Sequence, residues 1–143
     1  MLMTIERVVI LKSVEIFGAI AEDHLVELAR MAKEEEYRAG DPIIRRGELG
    51  TSMYIVVSGK VRIHVGEQVV AELGEREVIG ELAALDPEER SADVTAITDT
   101  NVFCIEGGLL YELMGEHSEV NRGIVRVLCR RLRKSTSTRI KSS

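Results

Sequence analysis

Residues 80–91 read Gly80-Glu81-Leu82-Ala83-Ala84-Leu85-Asp86-Pro87-Glu88-Glu89-Arg90-Ser91, and they interrupt a series of short β-type runs in the middle of the chain. The pattern predicts one helical turn over 81–85, which begins after a glycine and ends at Asp86-Pro87. A short helix inserted between strands leaves its first backbone amides unpaired, and such amides bind anions. The segment therefore predicts an anion site built partly from the main chain.

Arg90 follows this turn and opens a predicted strand in which Ala92, Val94 and Ala96 alternate with polar residues. It is in phase with those three residues, so its guanidinium is expected to point into the β structure. A buried guanidinium needs an anionic partner to offset the cost of removing it from water. Two partners remain open: the carboxylate of Glu81, or a phosphate group held jointly by Arg90 and the helical amides.

The hydrophobic period changes on both sides of this segment. Leu25, Leu28, Ala29 and Ala32 recur at helical spacing, and the helical period returns after Gly107-Gly108. Between these parts, short β-type runs separated by glycine turns are typical of an antiparallel sandwich or roll. We therefore predict one mainly β domain over 1–143, a double-stranded, jelly-roll-like β-roll with flanking helices. The expected parts are N-terminal helices over 4–33, a β-roll over 37–106 with the inserted helix at 81–85, and two closing helices over 109–117 and 119–134.

Composition is that of a soluble globular protein. Of the 143 residues, 45% are hydrophobic and 30% are charged, which is enough for a buried core in one domain. No apolar run approaches the roughly 18 residues of a membrane span, and no signal peptide is visible. Cys104 and Cys129 are isolated and are interpreted as reduced thiols, so a cytoplasmic location is expected.

The histidines argue against an enzyme. Metal-dependent β-roll enzymes need clustered His and carboxylate ligands, whereas His24, His64 and His117 fall on three separate predicted elements. Each is interpreted as a lone surface or edge histidine. No catalytic residue is therefore assigned, and no metal or cofactor is expected.

Charge is unevenly distributed along the chain. The net charge is -5, yet residues 117–143 contain eight Lys or Arg and a single acid, Glu119. A basic tail on an acidic body is able to bind nucleic acid. We favour the solvated face of a final helix, because no aromatic side chain interleaves the charges and no further helix follows to enter a groove. Nucleic acid is not an expected partner of this chain alone.

Two stretches resemble the cyclic nucleotide-binding domain family, the module of catabolite activator proteins, protein kinase A regulatory subunits and gated channels. Residues 43–59 (IIRRGELGTSMYIVVSG) resemble the family's first glycine-bearing hairpins. GELA at 80–83, followed by RSA at 90–92, resembles its phosphate-binding cassette. The resemblance implies a regulatory module for signal transduction, with cAMP or cGMP as its ligand.

The resemblance also implies roles for individual residues. Arg90 would pair with the exocyclic phosphate and Glu81 would accept a hydrogen bond from the ribose 2′-hydroxyl. Ser91 stands at a position that helps to distinguish adenine from guanine, and the base would lie against Ile63 and Val70. With Arg131 of the last helix, the implied ligand-binding residues are Gly80, Glu81, Leu82, Ala83, Arg90, Ser91, Ile63, Val70 and Arg131, of which Leu82 and Ala83 contribute backbone amides.

The last helix is expected to carry the signal. Its apolar stripe is predicted to contain Val120, Ile124, Val127, Leu128 and Leu132. Arg131 falls inside this stripe, either as a long side chain that reaches the edge or as a contact with the ligand or a partner subunit. The family uses this helix for both contacts, so a homodimer through it is one expectation, with an effector outside this chain.

Four departures from the family pattern leave an alternative open. Arg76 stands where the family commonly has Gly, and Ala84 replaces a larger aliphatic residue. Glu88 and Glu89 put negative charge beside the predicted phosphate site. The alternative function is an interaction or dimerisation domain of the same fold that binds no nucleotide and belongs to a larger protein.

Overall fold

The computed structural model describes residues 2–18 and 20–142, with side chains up to residue 137. The helices are α1 Thr4–Lys12, a 3₁₀ turn Glu15–Phe17, α2 Glu22–Met31, α3 Glu81–Leu85, α4 Gly107–Glu116 and α5 Ser118–Ser142. The strands are β1 Lys33–Tyr37, β2 Pro42–Ile44, β3 Leu49–Gly50, β4 Ser52–Ser58, β5 Val61–Val65, β6 Gln68–Leu73, β7 Val78–Ile79, β8 Glu88–Glu89, β9 Asp93–Ala96 and β10 Thr100–Glu106.

Two four-stranded antiparallel sheets form the roll, in the orders β1-β10-β4-β7 and β2-β9-β5-β6, with a two-stranded β3-β8 ribbon beside them. The larger core lies between the helices and the first sheet, where Phe17, Leu25 and Phe103 are fully buried. A smaller apolar cluster around Val56, Val61 and Val94 belongs mainly to the second sheet. The predicted fold class, a mainly β roll with flanking helices, is confirmed. Within the described residues, no helix is both long and apolar enough to cross a bilayer.

Several predicted boundaries differ from the structure. The second helix ends at Met31 and the roll begins at Lys33, because Ala32 is already extended and β1 pairs with β10 along its full length. Strand pairing outweighs the helical pattern there, as tertiary contacts commonly do. The closing helices begin at Gly107 and Ser118, and the last continues to Ser142, past the predicted end at residue 134.

Candidate functional site

Arg90 is held by its main chain at the meeting point of the two stretches that carry the resemblance. Its N–H donates to the carbonyl of Glu48 at 2.8 Å, and its carbonyl accepts from the N–H of Gly47 at 2.9 Å. Arg90 therefore lies between β8 and β9, and the prediction that it opens a strand is wrong. The two bonds fix the position from which its side chain leaves the backbone.

Two glycines make room for the Arg90 guanidinium. A Cβ atom at Gly50 or at Gly80 would overlap that group, and Gly80 also has a φ of 74°, which favours glycine. The half-buried guanidinium donates one hydrogen bond from Nη2 to the carbonyl of Ser52 at 2.7 Å. Within the described part of the chain, no carboxylate oxygen lies within 4.0 Å of it. The structure thus holds the cation in place mainly through backbone.

Glu81 has a different partner from the one that sequence reasoning left open. Its carboxylate oxygen Oε1 accepts from Nη1 of Arg131 on α5, and Arg131 Nε lies 3.8 Å from Oε1 of Glu15. The Arg131 side chain therefore does more than extend from the apolar stripe of α5 towards solvent, because it pairs with carboxylates on other elements. It connects the last helix to the start of α3, beside a cavity of about 280 Å³ that Glu15, Glu81, Arg131 and Arg76 help to line.

The short helix α3 offers fewer free amides than expected. The N–H of Ala83 donates to the carbonyl of Gly80 at 3.1 Å, so this amide already has an acceptor within the turn, and its contact with a ligand stays a prediction. The amide of Leu82 lies one residue ahead of it, and the Leu82 side chain is exposed. Ala84 is buried in the main core. Its carbonyl oxygen packs so closely against Gly107 that a Cβ atom at position 107 would overlap that oxygen. The small residue at position 84 belongs to the contact between α3 and α4.

Comparison with known proteins agrees with this architecture. The family model for the cyclic nucleotide-binding domain matches residues 34–117. The chain belongs to the cyclic nucleotide-binding domain family. It is 32% identical over 130 residues to the cyclic AMP receptor protein of Thermus thermophilus, covering 87% of this chain and 60% of that protein. It is 34% identical over 101 residues to a cGMP-dependent protein kinase of Drosophila melanogaster, covering 66% of this chain and 11% of the kinase.

Among solved structures, the N-terminal domain of a transcriptional regulator from Streptomyces coelicolor superposes with a TM-score of 0.83 at 29% identity. That match covers 90% of this chain and 94% of the other. The chain spans about 60% of the length of the first curated relatives that it matches.

The remaining residues implied by the cyclic nucleotide-binding family lie on and beside the second sheet. Ile63 on β5 is half-buried, whereas Val70 on β6 is 64% exposed at the point where the β5–β6 register shifts. Ser91 is exposed beside Arg90. On the last helix, Val120, Ile124 and Val127 of the predicted apolar stripe are buried, whereas Leu132 is 69% exposed.

Neither Glu88 nor Glu89, two of the departures from the family pattern, has a carboxylate oxygen within 4.0 Å of an Arg90 nitrogen. Both residues are exposed, and β8 pairs with β3 through them. Arg76, at the position where the family commonly has Gly, has a φ of 71°. It is the one non-glycine residue with positive φ among those the structure describes.

The interpretation of the histidines as three isolated residues is wrong for two of them. The rings of His24 and His117 stack with centroids 3.6 Å apart, and His64 stays apart on β5. Packing of α2 against the junction of α4 and α5 brings them together, which no local pattern shows. The sequence did offer one signal of such a cluster, a carboxylate near each histidine. Glu27 follows His24 by three residues on the same predicted helix, and Glu116 directly precedes His117.

Proposed function

We propose that this domain binds cAMP and senses its concentration, with Arg90 as the residue that holds the exocyclic phosphate. The observation that carries the proposal is a half-buried guanidinium fixed by backbone contacts, with a single carbonyl acceptor and no carboxylate within 4.0 Å among the described residues. A guanidinium has five N–H donors in a planar fork that matches phosphate oxygens. The similarity to a cyclic AMP receptor protein supports cAMP, and the similarity to a cGMP-dependent kinase makes cGMP the competing ligand.

Other roles follow from the positions around Arg90. The amide of Leu82 would donate to the phosphate, and the carboxylate of Glu81 would accept from the ribose 2′-hydroxyl. Arg131 binds one oxygen of Glu81 and leaves the other for the ribose. Ser91 and the half-buried Ile63 would then lie towards the base.

The same ion pair provides a route from ligand to the last helix. A nucleotide that binds Glu81 and Arg90 stabilises one position of α3, and Arg131 ties that position to α5. Only a difference in ligand affinity between two helix arrangements shifts their populations, so the strength of this link sets the size of any signal. The effector that receives it would lie outside this chain, with a second copy bound through α5 as one arrangement.

Calorimetric titration of cAMP and of cGMP into the wild type, Arg90→Ala and the control Arg62→Ala tests the proposal. Arg62 is an exposed arginine on β5, so its removal changes net charge equally. We expect Arg90→Ala to weaken binding by about 2–5 kcal/mol, which is roughly 30-fold to several thousand-fold, because it leaves the phosphate without its cation. Arg62→Ala should bind as the wild type does.

Urea unfolding of the ligand-free proteins separates this proposal from the alternative. Since Arg90 has no carboxylate partner among the described residues, its removal should lower the free energy of unfolding by no more than about 1.5 kcal/mol, the net contribution of its one side-chain hydrogen bond. Absence of binding to either nucleotide at millimolar concentration, together with a large loss of stability in Arg90→Ala, would identify a nucleotide-free interaction domain.

A further inference from the structure

Two histidines meet where α2 packs against the junction of α4 and α5. His24 is in the first turn of α2, and His117 lies between α4 and α5. Their rings stack with a 25° angle between planes, and the two side chains are only 15% and 22% exposed. Carboxylates surround the pair, with Glu119 in the first turn of α5 and Glu27 one turn after His24 on α2.

The ring nitrogens are close to these carboxylates without forming hydrogen bonds. His24 Nδ1 lies 3.2 Å from Oε1 of Glu119, and His117 Nε2 lies 3.5 Å from Oε2 of Glu27. Both nitrogens are buried and have no hydrogen-bond partner. At 3.2 Å from His24 Nδ1, the Glu119 oxygen is within hydrogen-bond distance, so it lies beside the direction of that nitrogen's N–H or lone pair and not along it. Two ligands of one tetrahedral ion have this relation, because both point at the metal and not at each other.

We propose that His24, His117 and Glu119 form a binding site for a divalent transition-metal ion of the zinc type. One ligand atom from each residue lies within 4.8 Å of the other two. Two ligand atoms about 2.0–2.2 Å from a tetrahedral ion are about 3.3 Å apart, so His24 and Glu119 already have the required separation. Side-chain rotations that bring the third atom closer by at most about 1.5 Å complete a three-ligand site with a fourth position for water.

The donor set determines the class of ion. Two imidazoles and one carboxylate suit Zn²⁺, whereas Mg²⁺ and Ca²⁺ prefer sites made of oxygen atoms alone. Glu27 and Glu116 form a second group with His117 within 4.8 Å and add negative charge that attracts a cation. An ion here would join α2 to the beginning of α5, the helix that carries Arg131.

The test is competition for Zn²⁺ with a chromophoric chelator, using protein without a histidine tag. His24→Gln, His117→Gln and Glu119→Gln should each weaken zinc binding by at least about tenfold, since the loss of a residue that merely supports a ligand already costs that much. His64→Gln is the matched control and should bind as the wild type does, because His64 on β5 bonds Thr95 on β9 and Gly66 in the turn after β5. Mg²⁺ at millimolar concentration should not displace zinc.

Two further measurements keep the result clear. Glu119 is half-exposed, so Glu119→Gln should fold even if a histidine variant does not. Cys129→Ser removes a half-buried free thiol that is able to bind zinc, and it should leave the affinity unchanged. Zinc affinity of the wild type no better than that of the His24→Gln/Glu119→Gln double variant would overturn the proposal, as would a loss confined to Cys129→Ser.

Discussion

Two arginines in different regions of the molecule show how the fold treats a guanidinium. Arg7 on α1 lies where the helical part meets the first sheet. Its Nη1 donates to the carbonyls of Ala29 and Ala32 at 2.9 and 3.1 Å, and its Nη2 binds Oε1 of Glu34 at 2.9 Å. The Phe103 ring lies beneath it, 5.5 Å from Cζ to the centroid. The fold itself supplies this cation with an anion, two carbonyls and an aromatic face.

Arg90 is held equally firmly but is supplied less completely. Its main chain and the two glycines around its guanidinium fix its place, yet among the residues that the structure describes the guanidinium donates only to the carbonyl of Ser52. The difference teaches how to tell a structural arginine from a ligand-binding one. Arg7 and Arg90 are both largely removed from solvent, but they differ in how many of their guanidinium N–H groups donate to acceptors of the protein itself.

The largest effect expected from this comparison is that of replacing Arg7, and it is on the free energy of unfolding. The pKa of Glu34 is lowered, first because the N–H of Leu2 donates to it and also because Arg7 lies beside it, so the carboxylate is charged at neutral pH. Arg7→Met should therefore reduce the free energy of unfolding by about 2–3 kcal/mol, since it strands a mostly buried charge. Urea unfolding measures this change.

The same variant should leave nucleotide affinity within about threefold of the wild type, because Arg7 contacts neither Glu81 nor Arg90. Arg90→Ala should show the opposite result, a large loss of affinity with little loss of stability. If both variants lost stability equally and affinity equally, the distinction between the two arginines would fail.

Arg131 tests how the two regions are connected, with a smaller effect. Arg131→Gln removes the ion pair that orients Glu81, and we expect cAMP affinity to fall about three- to tenfold. Arg130→Gln, an exposed neighbour on the same helix with the same change in charge, is the control. Calorimetric titration compares the two. A rise in affinity would show instead that Arg131 competes with the ribose for Glu81.

Much of the fold and of the cassette was predictable from local patterns. The helical turn at 81–85 has the predicted bounds because its signals, a preceding glycine and a following Asp-Pro, are local. The end of α2 was misplaced because the Ala32–Lys33 helical pattern competes with pairing to a strand some 70 residues away. Sequence reasoning found Glu81 and Arg131 separately but not their contact.

The contacts that sequence reasoning missed all join distant parts of the chain. Glu81 meets Arg131 across 50 positions, and His24 meets His117 across more than 90. A side chain's helix face is readable from its period, but its partner depends on how helices pack, which no short window contains. The single-residue roles therefore followed from motifs, whereas the pairings needed the tertiary structure.

A fourth arginine, Arg76, gives the smallest effect, and replacing it distinguishes the cost of its backbone conformation from that of its charge. Arg76, in the turn before β7, has a φ of 71°, and its N–H donates to the carbonyl of Val56 at 2.8 Å. A left-handed conformation costs an L-residue about 1–2 kcal/mol, while glycine adopts it freely but loses more entropy on folding. Arg76→Gly should therefore raise the free energy of unfolding by about 0.5–1 kcal/mol.

Arg76→Ala is the matched control for that variant, because it removes the same charge and keeps the Cβ atom that makes the left-handed conformation costly. It should leave stability unchanged or slightly lower, so that only glycine raises the urea midpoint. Equal gains in the two variants would place the cost in the charge that Arg76 brings to the cavity beside Arg131 and not in its backbone. Stabilisation by glycine alone would show that Arg76, unlike Arg7 and Arg90, is an arginine whose backbone is strained and whose guanidinium is dispensable to the fold.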